Sequence, residues 1–278
     1  MIGYGYEYQY IDNLKYILRN GRREKNERTG IETIRVPSTQ IIVDLEKEFP
    51  ILRSKKVFWK SAVDEILWIM QKQSNKTSEL NSKIWDAWAG EDGTIGKSYG
   101  YQVGSSLMVK QFGKVVCYPN QVDYVLQTLA KDPSNRQCVI NMWNVQELDE
   151  MNLVPCVYSS VWNIIGGRLN CMVVQRSADY PVGVPFDTTQ YAVLTHLFAR
   201  HLRVRPGILT HVMADSHIYV NQLPGVFQQL GQYEVLKDEE YPPRLRITGD
   251  IDFWKVSLDD IQVINYNPMP AIKFDVAV

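Results

Sequence analysis

The sequence predicts an α+β fold, on three observations. Helical and strand-like segments are mixed without a regular βαβ alternation. Two segments, KSAVDEILWIMQ and TTQYAVLTHLFARHL, are apolar around most of a helical circumference, which predicts deep burial. No internal repeat, low-complexity block or Pro/Gly/Ser-rich linker divides the chain, so residues 1–278 read as a single domain.

The elements follow in order. Between Tyr8 and Leu18, Ile11, Leu14, Ile17 and Leu18 recur at helical spacing. The polar stretch GRREKNERTG then gives way to IETIRVPSTQIIVDL, whose β-branched content predicts strands. In the helix of Lys60 to Gln71, Glu65 is out of keeping with the apolar face around it. VDYVLQTLAKDP predicts a helix stopped at Pro133, and QCVINMWN a strand. VPCVYSSVWNII and GRLNCMVVQRS predict two strands joined in a hairpin at Gly166-Gly167. ILTHVMADSHIYV predicts a strand that runs into a helix over VNQLPGVFQQLGQY, and the C-terminal segments alternate like late strands.

Charge narrows the function. Thirty Lys+Arg against 31 Asp+Glu give a net charge of -1, without the basic excess that phosphate backbones select, so no nucleic-acid partner is expected. No apolar run approaches the roughly 18 residues of a membrane span, and MIGYGYEYQYIDNLKY does not resemble a secretory signal. No membrane partner and a cytoplasmic location are therefore expected. The four cysteines form no CxxC pair, so free thiols and no metal site are expected.

Several residues could carry chemistry, and each also has a plainer reading. Cys156 in VPCVYSS is either a core thiol or a nucleophile that a neighbouring cation activates; Arg176 is that cation if the hairpin strands pair. The run QRSADYPVGVPFD sets Arg176 beside Ser177, a planar fork and a short donor that suit phosphate. Arg28 in ERTG and Arg136 in PSNRQ offer the same chemistry, or simply lie in solvated loops. Asp215, His217 and Tyr219 alternate along a strand, as a hydrogen-bonded strand end or as readers of sugar hydroxyls. Trp85 and Trp88 are core residues or a wall for a flat heterocycle. Glu65 is the hardest to explain as packing, since a buried carboxyl with a raised pKa is a natural proton relay.

Taken in order, ERTG, KKVFWKS…EILWIM, IWDAWAGEDGTIGKSYGYQ, PCVY, QRSADYPVGVPFD, ADSHIYVNQ and PAIKFDVAV resemble the thymidylate synthase family nearly end to end. The resemblance implies a large curved mixed sheet flanked by helices, a homodimer, a pyrimidine nucleoside monophosphate substrate and 5,10-methylenetetrahydrofolate as co-substrate, with no metal. It implies that Cys156 adds to C6 of the base, that Glu65 relays protons and that Tyr99 assists removal of the C5 proton. Asp179 matches an aspartate near the base and the folate ring. Arg28, Arg176 and Ser177 match phosphate ligands, with Arg136 reaching in from the partner subunit, and His217 and Tyr219 match ligands of the sugar 3′-hydroxyl. Trp85 and Trp88 match the folate-side wall, and Val278 the tail that closes over it.

Three positions depart from the family. Val157 and Gln137 stand where many members carry histidine and a second arginine. Asp187, in PFD, stands where thymidylate synthases read the base edge with asparagine. An amide matches the N3–H donor and O4 acceptor of uracil; cytosine reverses both groups. A carboxylate against uracil leaves O4 without a donor, at about 1–3 kcal/mol. Aspartate here resembles the cytidylate hydroxymethylases, so hydroxymethylation of dCMP or CMP is the expected reaction. Thymidylate synthesis, dCMP methylation and a non-catalytic nucleotide-binding relative are the alternatives.

Overall fold

The computed structural model describes residues 5–27, 29–111, 113–236 and 242–275. Helix α1 (Tyr6–Asn20) buries Tyr6, Tyr10, Ile11, Leu14 and Ile17, the helical stripe of the sequence extended by a turn. The chain turns at Gly21, where a Cβ would lie 2.5 Å from the Ile17 carbonyl oxygen. Strand β1 (Arg22–Lys25) forms within the polar stretch that sequence patterning leaves without structure. All four of its residues are exposed, so no hydrophobic alternation marks it, and only its antiparallel ladder to β2 (Glu32–Asp44) defines it.

Helix α2 (Trp59–Leu67) runs into a π-helical turn, Trp68–Lys72, that ends on Gln73 in a left-handed conformation. A short helix α3 (Gly100–Val103) precedes a hairpin, β3 (Leu107–Gln111) and β4 (Lys114–Tyr118), to which no sequence pattern pointed. Helix α4 (Gln121–Lys131) is capped by the Asn120 side chain, which accepts from the Asp123 N–H, and it leads to the short strand β5 (Val139–Asn141). Strands β6 (Val157–Ile165) and β7 (Arg168–Gln175) make the expected hairpin; Gly166 and Gly167 both take positive φ, 61° and 72°, which glycine adopts without strain. After the two-residue strand β8 (Ala178–Asp179) comes α5 (Gly183–His201), buried around most of its circumference. Strand β9 (Arg205–Tyr219) leads through a 3₁₀ turn to α6 (Leu223–Glu234). Of the late strands only β10 (Arg244–Ile247) and β11 (Ile261–Ile264) form, paired with each other.

The main sheet has the order β1-β2-β9-β7-β6-β5, with β8 also on β9. It is mixed: β7 and β8 run parallel to β9, and the other neighbours are antiparallel. Helices α1 and α5 pack on the sheet, and α2 packs on α5. This is the α+β architecture that the sequence predicts, a mixed sheet flanked by helices. The sheet sets the site by register: Val157 pairs with Gln175, which fixes Cys156 beside Arg176, and Asp179 pairs with His217.

Phe198 on α5 ties three parts of the core together. Its ring lies 4.8 Å from Trp162 on β6 and 5.0 Å, edge-on, from Phe253. Phe198→Ala is expected to lower the unfolding free energy by about 3–5 kcal/mol. Urea titration checks this; a loss below about 1 kcal/mol would show that this aromatic layer carries little of the stability.

Candidate active site

Cys156 sits in the loop that enters β6, with its thiol half-buried. Arg176, one residue past the end of β7, grips that loop. Its backbone N–H donates to the Cys156 carbonyl at 2.8 Å, its Nε to Pro155 O at 3.0 Å and its Nη2 to Val154 O at 2.8 Å. The guanidinium also lies 5.4 Å over the Trp143 ring. Hairpin pairing therefore places a permanent cation on the loop that carries this thiol. The other cysteines lack such a setting: Cys117 is exposed, burial pushes the Cys138 thiol up to about 11, and the buried Cys171 is raised further.

The Tyr99 hydroxyl accepts from the Cys156 N–H at 2.9 Å, which puts a phenol at the entrance of the same strand. Tyr99 holds φ 39° and ψ −100°, a backbone conformation that costs a non-glycine residue energy and is maintained by its surroundings. Its ring packs edge-on to Trp85 at 5.1 Å. Burial, then the neighbouring Cys156, raises its hydroxyl well above the ordinary tyrosine value.

Behind Tyr99 lie three carboxyls. Glu65 on α2 accepts a 3.0 Å hydrogen bond from Trp85 Nε1. Burial and then the charge of Asp187 lift it to about 8, against hydrogen bonds from Trp85 and Gln190. Asp187, in the first turns of α5, accepts from Gln175 Nε2 at 2.9 Å through Oδ2, and burial raises it to about 7. Asp179 takes the Gln222 amide at 2.9 Å on Oδ2 and the Val182 N–H at 3.3 Å on Oδ1; burial raises it too. The same Gln222 Nε2 reaches the carbonyl of Asp275 in the C-terminal segment at 3.3 Å. A cavity of about 150 Å³, lined by Lys55, Phe58, Val182, Phe186 and Phe274, opens on this side.

Trp85 is a buried core residue that doubles as the orienting donor for Glu65. Trp88 stands edge-on to it at 5.6 Å and remains partly open, as a wall for a flat ring requires. His217 and Tyr219 are buried at the end of β9 with their rings edge-on at 5.2 Å. Burial lowers the His217 pKa, but hydrogen bonds to Asp215 outweigh it and the net shift is upward. Asp215 departs from the even alternation read in the sequence. It takes φ 43°, the ladder to β2 skips it and Pro37, and its Oδ2 meets Arg35 Nη2 at 2.6 Å.

Ser177 is half-buried next to Arg176. Arg136 and Gln137 lie instead on an exposed loop leading into β5, the strand at the edge of the sheet. Arg28 and Val278 lie outside the described residues. Among the described residues no group of three His, Cys, Asp or Glu could hold a metal ion, and no helix is long and apolar enough to cross a membrane.

Four polar residues of the site escaped the sequence reading: Gln175, Gln190, His211 and Gln222, all at most 4% exposed. Each adjoins another polar residue, Arg176, Thr189, Thr210 or Asn221, so none stands out from its neighbours and no local signal marked it.

The thymidylate synthase family pattern matches residues 8–278. The chain belongs to that family. It is 42% identical to a thymidylate synthase of Clostridium beijerinckii over 278 residues, covering 98% of this chain and 99% of that protein. Thymidylate synthase 1 of Bacillus subtilis is 35% identical, again over 98% and 99% of the two chains. The solved structure of the thermostable thymidylate synthase A from Bacillus subtilis superposes with a TM-score of 0.87 at 36% identity, covering 98% and 99% of the two chains. None of these relatives is named a hydroxymethylase, so the expected kinship with that branch of the thymidylate synthase family gains no support from them.

Raised carboxyls imply a measurable linkage. Asp187 binds its proton up to about pH 7 when folded and only to about pH 4 when unfolded, so folding is favoured below pH 4 and loses that contribution as pH rises to 7. Asp187→Asn, which cannot ionise, should therefore gain stability relative to wild type between pH 4 and pH 7 and hold the gain above. Thermal unfolding at pH 4, 6 and 8 checks this; a pH-independent difference would contradict the raised pKa.

Proposed function

We propose that the chain transfers a one-carbon unit from methylenetetrahydrofolate to C5 of a pyrimidine nucleoside monophosphate, and that Asp187 turns its preference toward cytosine, with 5-hydroxymethyl-dCMP or -CMP as product. The observation that carries the choice of base is the Asp187 carboxyl, held on one oxygen by Gln175 and raised to about 7 by burial. As an acid it donates to N3 and accepts from the N4 amine, the reverse of the pattern uracil requires.

Cys156 Sγ, as the thiolate that the Arg176 cation favours, adds to C6 and makes C5 a carbon nucleophile. The folate supplies carbon at the oxidation level of formaldehyde. The residues present fit its flat ring: Trp88 offers a partly open face and Asp179 carries a hydrogen-bonded carboxyl nearby. Tyr99 and Glu65 surround the C5 proton that must leave once the new C–C bond forms. Glu65, raised to about 8, can take up and return a proton near neutral pH. Once the C–N bond to the folate has broken and tetrahydrofolate has left an exocyclic methylene, Glu65 positions the water that adds there as the C6–S bond breaks and Cys156 is released. In this reading Arg176 and Ser177 bind the phosphate and His217 and Tyr219 hold the sugar, with Arg28, outside the described residues, as a further proposed phosphate ligand. In the homodimer we propose, Arg136 on its exposed loop reaches the phosphate site of the partner subunit.

A second reading, thymidylate synthesis from dUMP, has its own support. The relatives named above are thymidylate synthases across the whole chain, and they favour this reading. A protonated Asp187 can also mimic the amide, donating to O4 and accepting from N3–H, so the carboxyl weakens uracil binding most where it is ionised. Methylation of dCMP is a third outcome of the same test.

Incubation of dCMP, CMP and dUMP separately with methylenetetrahydrofolate separates these readings by product mass. Hydroxymethylated cytidylate without dihydrofolate is expected; dTMP with dihydrofolate from dUMP alone would establish the second reading. Cys156→Ser is expected to abolish turnover with every nucleotide, and residual turnover within tenfold of wild type would remove Cys156 as nucleophile. Asp187→Asn should move the ratio of kcat/KM between dCMP and dUMP toward uracil by about 10–100-fold, the worth of one mismatched buried hydrogen bond. An unchanged ratio would mean that another residue reads the base.

A further inference from the structure

We infer that His211 on β9, acting through Gln175, fixes which oxygen of the Asp187 carboxyl only accepts hydrogen bonds and which is left to hold a proton, making His211 a positioning residue for the choice of base. This rests on the reading that Asp187 faces the pyrimidine edge.

Four side chains form a line, three of them buried and the last, Asp187, half-buried. Thr188 Oγ1 lies 3.0 Å from His211 Nδ1, His211 Nε2 lies 2.8 Å from Gln175 Oε1, and Gln175 Nε2 lies 2.9 Å from Asp187 Oδ2. Thr188, His211 and Gln175 are at most 2% exposed, so water does not complete their hydrogen bonds. The proton count then has one consistent solution. Gln175 Nε2 is also 3.1 Å from the Ser177 carbonyl oxygen, so it faces two acceptors; reversing the amide would set Oε1 against that carbonyl. With the amide so fixed, Oε1 needs a donor, and the ring N–H on Nε2 of His211 is the group within reach. Burial pushes this imidazole down to about 3, so the ring is neutral and carries one N–H only. Nδ1 is therefore bare and accepts from the Thr188 hydroxyl. That hydroxyl also lies 2.8 Å from the Val184 carbonyl, which as a helix oxygen has the backbone ladder to satisfy it.

The line ends on Asp187 Oδ2, which is held as an acceptor. A proton on this carboxyl consequently resides on Oδ1, and the polarity that the carboxyl presents to a base is set from His211, a side chain that touches no substrate. Other ionisable groups also act on Asp187: Glu65 from α2, Tyr99 at the start of α3, Asp179 on β8 and Tyr191 farther along α5. None of them touches Gln175 in the line described, so removing the His211 donor alters the amide without changing those charges.

The test uses His211→Phe, which keeps a ring but no donor, and His211→Gln, whose amide can still donate. For His211→Phe the ratio of kcat/KM between dCMP and dUMP should shift by about tenfold, as for one lost hydrogen bond. The pH at which that ratio changes should move with it, and His211→Gln should restore both. A second readout needs no turnover: the ¹³C carboxyl titration of Asp187, assigned by its disappearance in Asp187→Asn, should shift its midpoint in His211→Phe and not in His211→Gln. Should His211→Phe fail to fold, Gln175→Leu cuts the same line in the middle and must give the same shift. A folded variant of either kind with the wild-type titration and a base ratio within twofold overturns the inference. Wild-type protein that turns over no pyrimidine nucleotide overturns the proposed function instead, while the carboxyl titration still decides the role of His211.

Discussion

Glu65, Asp179 and Asp187 are brought together in a half-buried cleft where desolvation disfavours their charge, and the surrounding structure answers that constraint. Each carboxyl is met by a neutral donor, Trp85, Gln222 or Gln175, and not by a lysine or arginine bonded directly to it. A direct ion pair would have driven these acids into permanent ionisation. Neutral donors leave Glu65 and Asp187 able to gain and lose protons near neutral pH, as a site that moves a proton to and from carbon requires. The arginine is kept on the other side, clamped by the backbone carbonyls of the loop that carries Cys156. Arg176 is thus set apart from these acids, and Lys55 acts on Asp179 through its charge without bonding it.

Register is the means. A sheet delivers side chains at fixed offsets, so pairing Val157 with Gln175 and Asp179 with His217 settles three faces of the site at once. The helices supply what strands cannot, a carboxyl approaching from above: Glu65 from α2 and Asp187 from the first turns of α5. The strained backbone of Tyr99 belongs with these, since a residue held at positive φ beside a nucleophile is maintained by packing on both sides.

The sequence disclosed most of this architecture where pattern and chemistry coincide. Apolar periodicity marked α1, α2 and α5, and paired glycines marked the β6–β7 hairpin. Cys156, Arg176, Glu65 and Asp187 were legible because each is a reactive or charged type in an apolar or motif-bearing stretch. Strand β1 was not, because all its side chains face solvent and only pairing holds it. Gln175, Gln222 and His211 were missed for a different reason. Glutamine and histidine are common on surfaces, and their importance here comes from partners distant in sequence, which no local pattern encodes. The exposed Arg136 shows the converse: its place in the sequence resembles a phosphate ligand, yet a single chain gives it nothing to hold.

Gln222 divides its two amide hydrogens between Asp179 and the main chain of Asp275. Phe274, next to that carbonyl, packs so closely on α6 that a Cβ at Gly225 would lie 2.7 Å from its ring. The C-terminal segment is thus seated on a helix whose preceding residue also holds a carboxyl of the site. One side-chain amide thus bonds a carboxyl of the site and the main chain of the C-terminal segment at once, so the two share a single point of support.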